Sequence, residues 1–337
     1  MALITVITET EDMPRIAPPW CSIESVTTIT EPMKTAKMLR TAHLANWNIH
    51  LMELKDLVTD GYKFVSAPQV VVRAKRGRGP AVIMGVVGQR YQIVQNEDTF
   101  AFGDALLRAG SGTWEAAGAI KDDRIVFGAV DLHREILIGE AGDRVAMHLI
   151  VSSSHDGTAA LSVATMAVRV SSQSVMNITL PGAEQSSRMR HTPSVSEANH
   201  AAKEAIEVAS RYTSRFKTIA DALASKKLTD RQFGNLVELV YPKPDRDVKG
   251  AMSRWATKRK VIQDIWEGSA GTADTTKEIR GTAWGALCTL LERIDYFRAP
   301  RMDNAENLLV AASGFDAMSN MEKNRITGIV LKYAKVT

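Results

Sequence analysis

Hydrophobic and polar positions alternate through the middle of the chain and then change to helical spacing. In "VAMHLIVSSS", Val145, Met147, Leu149 and Val151 interleave with Ala146, His148, Ile150 and Ser152, the period of two expected of a strand. "YKFVSAPQVVVRA" and "PAVIMGVVGQRYQIV" are β-rich runs separated by a Gly-Arg-Gly-Pro turn, and "NIHLMELKDL" alternates. Two hairpins are predicted next: "WEAAGAI" and "IVFGAVDL" joined at Lys121 to Arg124, then "VAMHLIVSSS" and "TAALSVATMAVRVSS" joined at His155 to Gly157. Asp156-Gly157 suits a tight turn, since glycine takes positive φ without steric cost.

Helical signals bracket this region. "MKTAKMLRTAHLA" spaces Met38, Leu39, Ala42 and Leu44 for one helix, ended by Asn46-Trp47-Asn48. Asn96 reads as a cap, with Glu97 and Asp98 at the positive end of a helix stopped by Gly110 and Gly112. From Ser194 a long stripe runs through Ala198, Ala202, Ala205, Ala209, Tyr212, Phe216, Ile219 and Leu223. Further helices are predicted near 229–240, 247–267, 275–297, 303–313 and 319–334, with "YPKPDRD" and "GSAGTADTT" as linkers.

The fold expected is α+β: a curved antiparallel β-sheet with packed helices, followed by a mainly α-helical C-terminal region. Residues 1–35, with four prolines, form an N-terminal arm; 36–193 form the α+β core domain; 194–337 form the helical region.

Composition adds little until it is divided. Apolar residues make up 45% and charged residues 24%, ordinary for a globular chain of 337 residues. No apolar run reaches the ~18 residues of a membrane span, and the N-terminus lacks a basic leader, so a cytoplasmic protein is expected. The net charge of +4 divides into +6 for residues 181–337 (25 Lys and Arg, 19 Asp and Glu) and −2 for the rest. Within the acidic half, "VVRAKRGRGP" clusters Arg73, Lys75, Arg76 and Arg78, a phosphate-contacting loop or a solvated turn.

Cys21 and Cys288 lie far apart and the seven histidines are scattered, so no metal site or disulfide framework is indicated. Neither GxxxxGK[ST] nor GxGxxG occurs, and no cofactor is expected. Ser152 to Ser154 beside His155 and Asp156 make a poor triad, because neighbours on a strand point to opposite faces. Arg169 on a strand, with Arg188, Arg190 and His191 before the long helix, offers phosphate contacts or ordinary salt bridges. "MSRWATKRKVIQDIW" interleaves Trp255 and Trp266 with Arg254, Lys258, Arg259 and Lys260. That is a nucleic-acid face or, with the tryptophans on one side, a core-facing helix.

Taken in order, "APPWCSIES", "AHLANWNI", "GVVGQRYQIVQNEDTFAFGDALL", "VSSSHDGTAALSV", "AVRVSSQSVMNITL", "RMRHTPSV" and "TAWGALCTLLERIDY" resemble the phage/plasmid-like family, domain of unknown function 932, over roughly residues 17 to 300. One departure is Ser172-Gln173-Ser174, where many relatives carry cysteine before Gln-Asn, which argues against thiol chemistry there. The resemblance implies a phage, prophage or plasmid origin, a cytoplasmic location in the bacterial host and no established activity. The residue order is also similar in outline to phage single-strand annealing proteins, which implies a homo-oligomer.

The function expected is therefore a non-enzymatic nucleic-acid-binding protein, a single-strand DNA binder or annealer in recombination or replication. Its contacts would be Arg73, Lys75, Arg76, Arg78, Arg169, Arg188, Arg190 and His191. Two alternatives stand beside it: an enzyme on nucleic acid or nucleotide with His155 as base and Asp156 orienting it, and an oligomeric assembly protein.

Overall fold

The computed structural model describes residues 18–57, 68–74, 80–101, 103–108, 112–159, 161–188, 195–245, 250–271, 273–297 and 313–336. The main sheet is antiparallel and open. Its strands are β1 (Val26–Thr28), β5 (Thr113–Ile120), β6 (Ile125–Ile138), β7 (Asp143–Ser154), β8 (Ser162–Arg169) and β10 (Ser186–Arg188), in the order β1-β5-β6-β7-β8-β10. The short β9 (Val175–Met176) pairs with β8 near its end, at Ala167 and Val168. A separate three-stranded sheet holds β2 (Ile49–Glu53), β3 (Gln69–Arg73) and β4 (Val82–Val87) in sequential order.

Both faces of the main sheet are covered, which explains why its strands read as nearly continuous apolar runs. Val126, Val130, Leu149 and Val151 point into the large core, whereas Phe127, Ala129 and Ile150 point into a smaller one with Trp20, Ile23 and Val26. The N-terminal segment is thus part of the fold from Pro18 onward: β1 adds to β5 through Val26 and Gly118, and Trp20 is fully buried.

Helix α4 (Val195–Ser225) lays the predicted stripe against the first face, burying Ala202, Ala205, Ala209, Tyr212, Phe216, Ile219 and Leu223. The Tyr212 hydroxyl, buried among them, donates to the Ile178 carbonyl at 2.8 Å, so its polar end is not orphaned. The remaining helices are α5 (Asp230–Val240), α6 (Ala251–Glu267), α7 (Ala283–Tyr296) and α8 (Ala317–Ala334). One buried cluster runs from Ile29 to Ala334, so the helical region packs on the sheet rather than standing apart.

Three local expectations are corrected. The helix expected over 275–297 begins only at Ala283. Thr276 Oγ1 binds the Ile265 and Trp266 carbonyls, Gly281 takes φ +77°, and Thr282 caps the helix by accepting from the Gly285 N–H. The helix expected from Asn96 is two short pieces, α2 (Asn96–Thr99) and α3 (Gly103–Arg108), and Gln95, not Asn96, occupies the cap position. The turn at Asp156-Gly157 is wider than a two-residue hairpin, because the β7–β8 ladder ends at Ser152 opposite Ser162. Gly157 does adopt positive φ, +77°. Of the helix expected over 303–313 only Ser313 is described, and it lies in a turn.

Candidate nucleic-acid interface

His155 sits at the end of β7 and is buried. Its Nε2 lies 2.9 Å from Asn96 Oδ1, while Asn96 Nδ2 donates to the Leu44 carbonyl at 2.8 Å. With the amide so oriented, Oδ1 is an acceptor and the imidazole carries its proton on Nε2. Burial lowers the His155 pKa to about 4, against a smaller upward pull from Asp156. Asp156 does not orient the ring: its Oδ1 accepts from the Thr158 N–H at 2.9 Å and from the Thr158 hydroxyl.

The neighbours of Asn96 act in the same sense. Gln95 pairs with both backbone groups of Ile49, accepting from its N–H at 3.0 Å and donating to its carbonyl at 2.7 Å. Glu97 accepts from the Asn46 N–H at 2.7 Å. "QNE" therefore staples "HLANWNI" in place, and the "SHDG" histidine locks the staple from the other side. The geometry gives this group a structural role.

Of the arginines expected to contact nucleic acid, Arg73, Arg169 and Arg188 fall within the described residues and are spread apart. Arg73, on β3, is mostly buried; its Nη2 is 2.9 Å from an Asp123 carboxylate oxygen and its guanidinium stands 5.0 Å over the Trp47 ring. Arg169 is buried between sheet and helices, where Nε donates to Asp143 Oδ2 at 2.8 Å and Nη2 to the Thr275 carbonyl at 2.6 Å. Trp284 Nε1 donates to the same Asp143 oxygen at 2.7 Å. Arg169 is thus a core tie and is not offered to a surface ligand. Arg188 pairs with Ser162, at the opposite end of β8 from Arg169, roughly 20 Å away at the rise of a strand. Lys75, Arg76, Arg78, Arg190 and His191 lie outside the described residues.

No activated thiol is present among the described residues. Burial pushes the Cys21 thiol up to about 12 and holds Cys288 well above its ordinary value, so both stay protonated. Among these residues no three His, Cys, Asp or Glu side chains gather as a metal site. No helix in the described part is long and apolar enough to cross a membrane.

A different cluster forms where α6 leaves the core. Its C-terminal half buries Ile262, Ile265 and Trp266, with Trp266 stacked on Phe233 at 4.0 Å between centroids. Its N-terminal half, 251–261, buries no side chain, although Trp255 lies there. Trp255 is half-buried, its Nε1 donates to the Tyr241 carbonyl at 2.9 Å, and Arg259 and Lys243 approach its ring at 5.4 and 6.0 Å. Arg254 and Arg259 are exposed beside it. The two tryptophans expected to share a core-facing stripe therefore divide, one in the core and one at the surface among cations. Tyr241 and Lys243 completing this cluster were not legible in the sequence, because they come from the connection before the helix.

No curated protein and no solved structure matches this chain. The family described as Domain of unknown function (DUF932) matches residues 83–313, about two thirds of the chain, and takes in β5 through α7, Asn96 and His155 of the staple, and the cationic cluster. The chain therefore belongs to the family Domain of unknown function (DUF932).

Proposed function

We propose that this protein binds nucleic acid on the exposed face of α6, with single strands preferred. One observation carries the reading: an unburied, basic half-helix presents Trp255 flanked by Lys243 and Arg259. Cations meet the phosphate backbone and an accessible indole offers a surface for an unpaired base, worth about 1–3 kcal/mol per stacked base. A duplex hides its base faces and would use the charge alone.

The helix end supports the same reading. The first turn of α6 holds no acidic residue and carries Arg254. The positive end of the helix dipole favours an anion by about 0.3–1 kcal/mol. The buried, neutral His155 and the salt-bridged Arg169 give an enzymatic site no comparable support. A reducing cytoplasm suits two free thiols, and a homo-oligomer belongs to the same proposal.

The test is anisotropy of labelled single- and double-stranded DNA across a salt titration, with mass photometry on the same sample. Affinity for single strands that falls steeply with salt, and at least tenfold on Trp255→Ala, supports the reading. Binding that is undetectable, or indifferent to salt and to Trp255, ends it.

A further inference from the structure

The three-stranded sheet ends on β4, and among the described residues this strand pairs with β3 alone. Edge strands are ordinarily blunted by charged side chains or proline, because their outward N–H and C=O groups are a template for another strand. β4 reads "VIMGVV" and has neither. Ile83 and Val86 on it are 60% and 58% exposed.

A cavity of about 790 Å³ opens where β4 ends. Pro68, Val86 and Val87 give it apolar walls, and Tyr91, also in its lining, is held by a hydrogen bond from its hydroxyl to the Ser154 carbonyl at 3.3 Å. The hairpin tip backs this wall, since a Cβ on Gly157 would stand 3.1 Å from Val87 Cγ1. Arg90 lines the same cavity and is exposed, and among the described residues no carboxylate or carbonyl meets its guanidinium. A Cβ on Gly88 would meet nothing within 4 Å, so another main chain can approach there.

From this we infer that β4 is a docking edge for the carboxyl-terminal end of a partner polypeptide, added as a further strand with its last side chain in the cavity and its terminal carboxylate on Arg90. β4 runs from Val82 to Val87 and the cavity lies at the later end, so the partner runs parallel to it. Main-chain amides meet the outward groups of β4, which a lipid or other amphiphile without amides would leave unmet. One guanidinium beside apolar walls calls for one negative charge next to an apolar group, which is what a chain terminus offers. An acidic side chain within a peptide would supply the charge without the terminus, and amidation separates the two.

The experiment pans the full chain against random heptapeptides displayed with free carboxyl termini. The enriched peptides are then measured by anisotropy as free acids, as amides and with alternate main-chain nitrogens methylated. Peptides ending in an aliphatic residue should be enriched. Amidation should weaken them about tenfold or more, and Arg90→Gln should bring the free acid down to the affinity of the amide. Methylation should abolish binding, and Val86→Lys, with its fold checked by melting, should weaken acid and amide alike. No enrichment, or enriched peptides indifferent to amidation and to Arg90→Gln, overturns the inference. Binding that survives both methylation and Val86→Lys overturns the strand pairing and with it the docking edge. Either result leaves the α6 reading as it was, since the two sites share no residue.

Discussion

Asn96 bridges Leu44 and His155 with a single buried amide, its Nδ2 donating to the Leu44 carbonyl at 2.8 Å and its Oδ1 2.9 Å from His155 Nε2. Burial, rather than the bridge itself, keeps the imidazole neutral, and this fixes a pH dependence. The folded pKa of His155 is about 4 against 6.5 for the free side chain, so the unfolded state takes up the proton first. Its contribution is complete above pH 6.5 and is lost as pH falls from 6.5 towards 4, up to roughly 3 kcal/mol for a difference of this size. Asp295, whose pKa burial raises to about 6 despite Lys323, acts in the opposite direction over part of that window. Urea midpoints of wild type and His155→Gln at pH 7.5 and 4.5 cancel Asp295 and isolate the histidine. The variant should lose distinctly less stability on acidification, and equal losses would remove His155 from the account.

Gln95 replaces a strand: its amide closes both backbone hydrogen bonds of Ile49 at the end of β2. Gln95→Ala leaves two partly buried backbone groups unpaired and should cost about 2–6 kcal/mol, at 1–3 kcal/mol per group. Gln95→Glu keeps the acceptor and loses the donor, so its melting temperature should fall between wild type and the alanine variant. A silent Gln95→Ala would show that water replaces the amide without cost.

These bonds mark where the sequence was and was not legible. Strand and helix periods follow from side chains alternating or spiralling about one core, so the hairpins from Trp114 to Arg169 and the stripe of α4 could be read directly. The roles of Gln95 and His155 could not, since each depends on a partner 46 or 59 residues away. Arg169 misled for a related reason: a strand arginine looks the same whether it meets solvent or, as here, Asp143 and the Thr275 carbonyl. Trp255 and Trp266 fall on one helical face, but α6 leaves the core between them, and only the packing of Phe233 against Trp266 decides which is covered.

Lys323 and Asp295 form an ion pair in the core at 2.6 Å, and Lys323 Nζ also donates to the Val175 carbonyl at 2.6 Å. The pair joins α7, α8 and β9, with both side chains almost wholly out of water. Removing one partner strands the other charge, so Lys323→Met should destabilise by about 3–5 kcal/mol. Adding Asp295→Asn should return part of that loss, because the double variant buries no charge. Denaturation of the two single variants and the double gives the coupling directly, and simple additivity would show that the pair does not act as a unit.

Gly85 on β4 faces the hairpin tip so closely that a Cβ would lie 2.6 Å from Asp156 Cα. The obstruction is backbone and cannot rotate away, so Gly85→Ala should push the three-stranded sheet from the 155–158 loop and cost about 1–3 kcal/mol. Gly88, three residues on, has open space at the same position, and Gly88→Ala serves as the control. Thermal melts should separate the two by several degrees; equal melts would place the loop farther from β4 than described.

The division between Trp255 and Trp266 supplies an intrinsic probe of the proposed interface. Trp266 is buried against Phe233, and its indole N–H donates to Asp230 at 2.9 Å, so a ligand has no route to it. Trp255 is accessible, and a base stacked on it should quench its emission. Titrating single-stranded DNA into wild type should therefore lower tryptophan fluorescence in step with anisotropy, while Trp255→Phe should bind more weakly and lose the quench. Trp255→Phe also removes the indole N–H that reaches the Tyr241 carbonyl, so its fold is checked by melting before the titration is read. Quenching that persists in Trp255→Phe would place the strand near another tryptophan, away from α6. Quenching lost in Trp255→Phe but kept in Arg259→Gln, with weaker affinity, would assign stacking to the indole and phosphate attraction to the arginine.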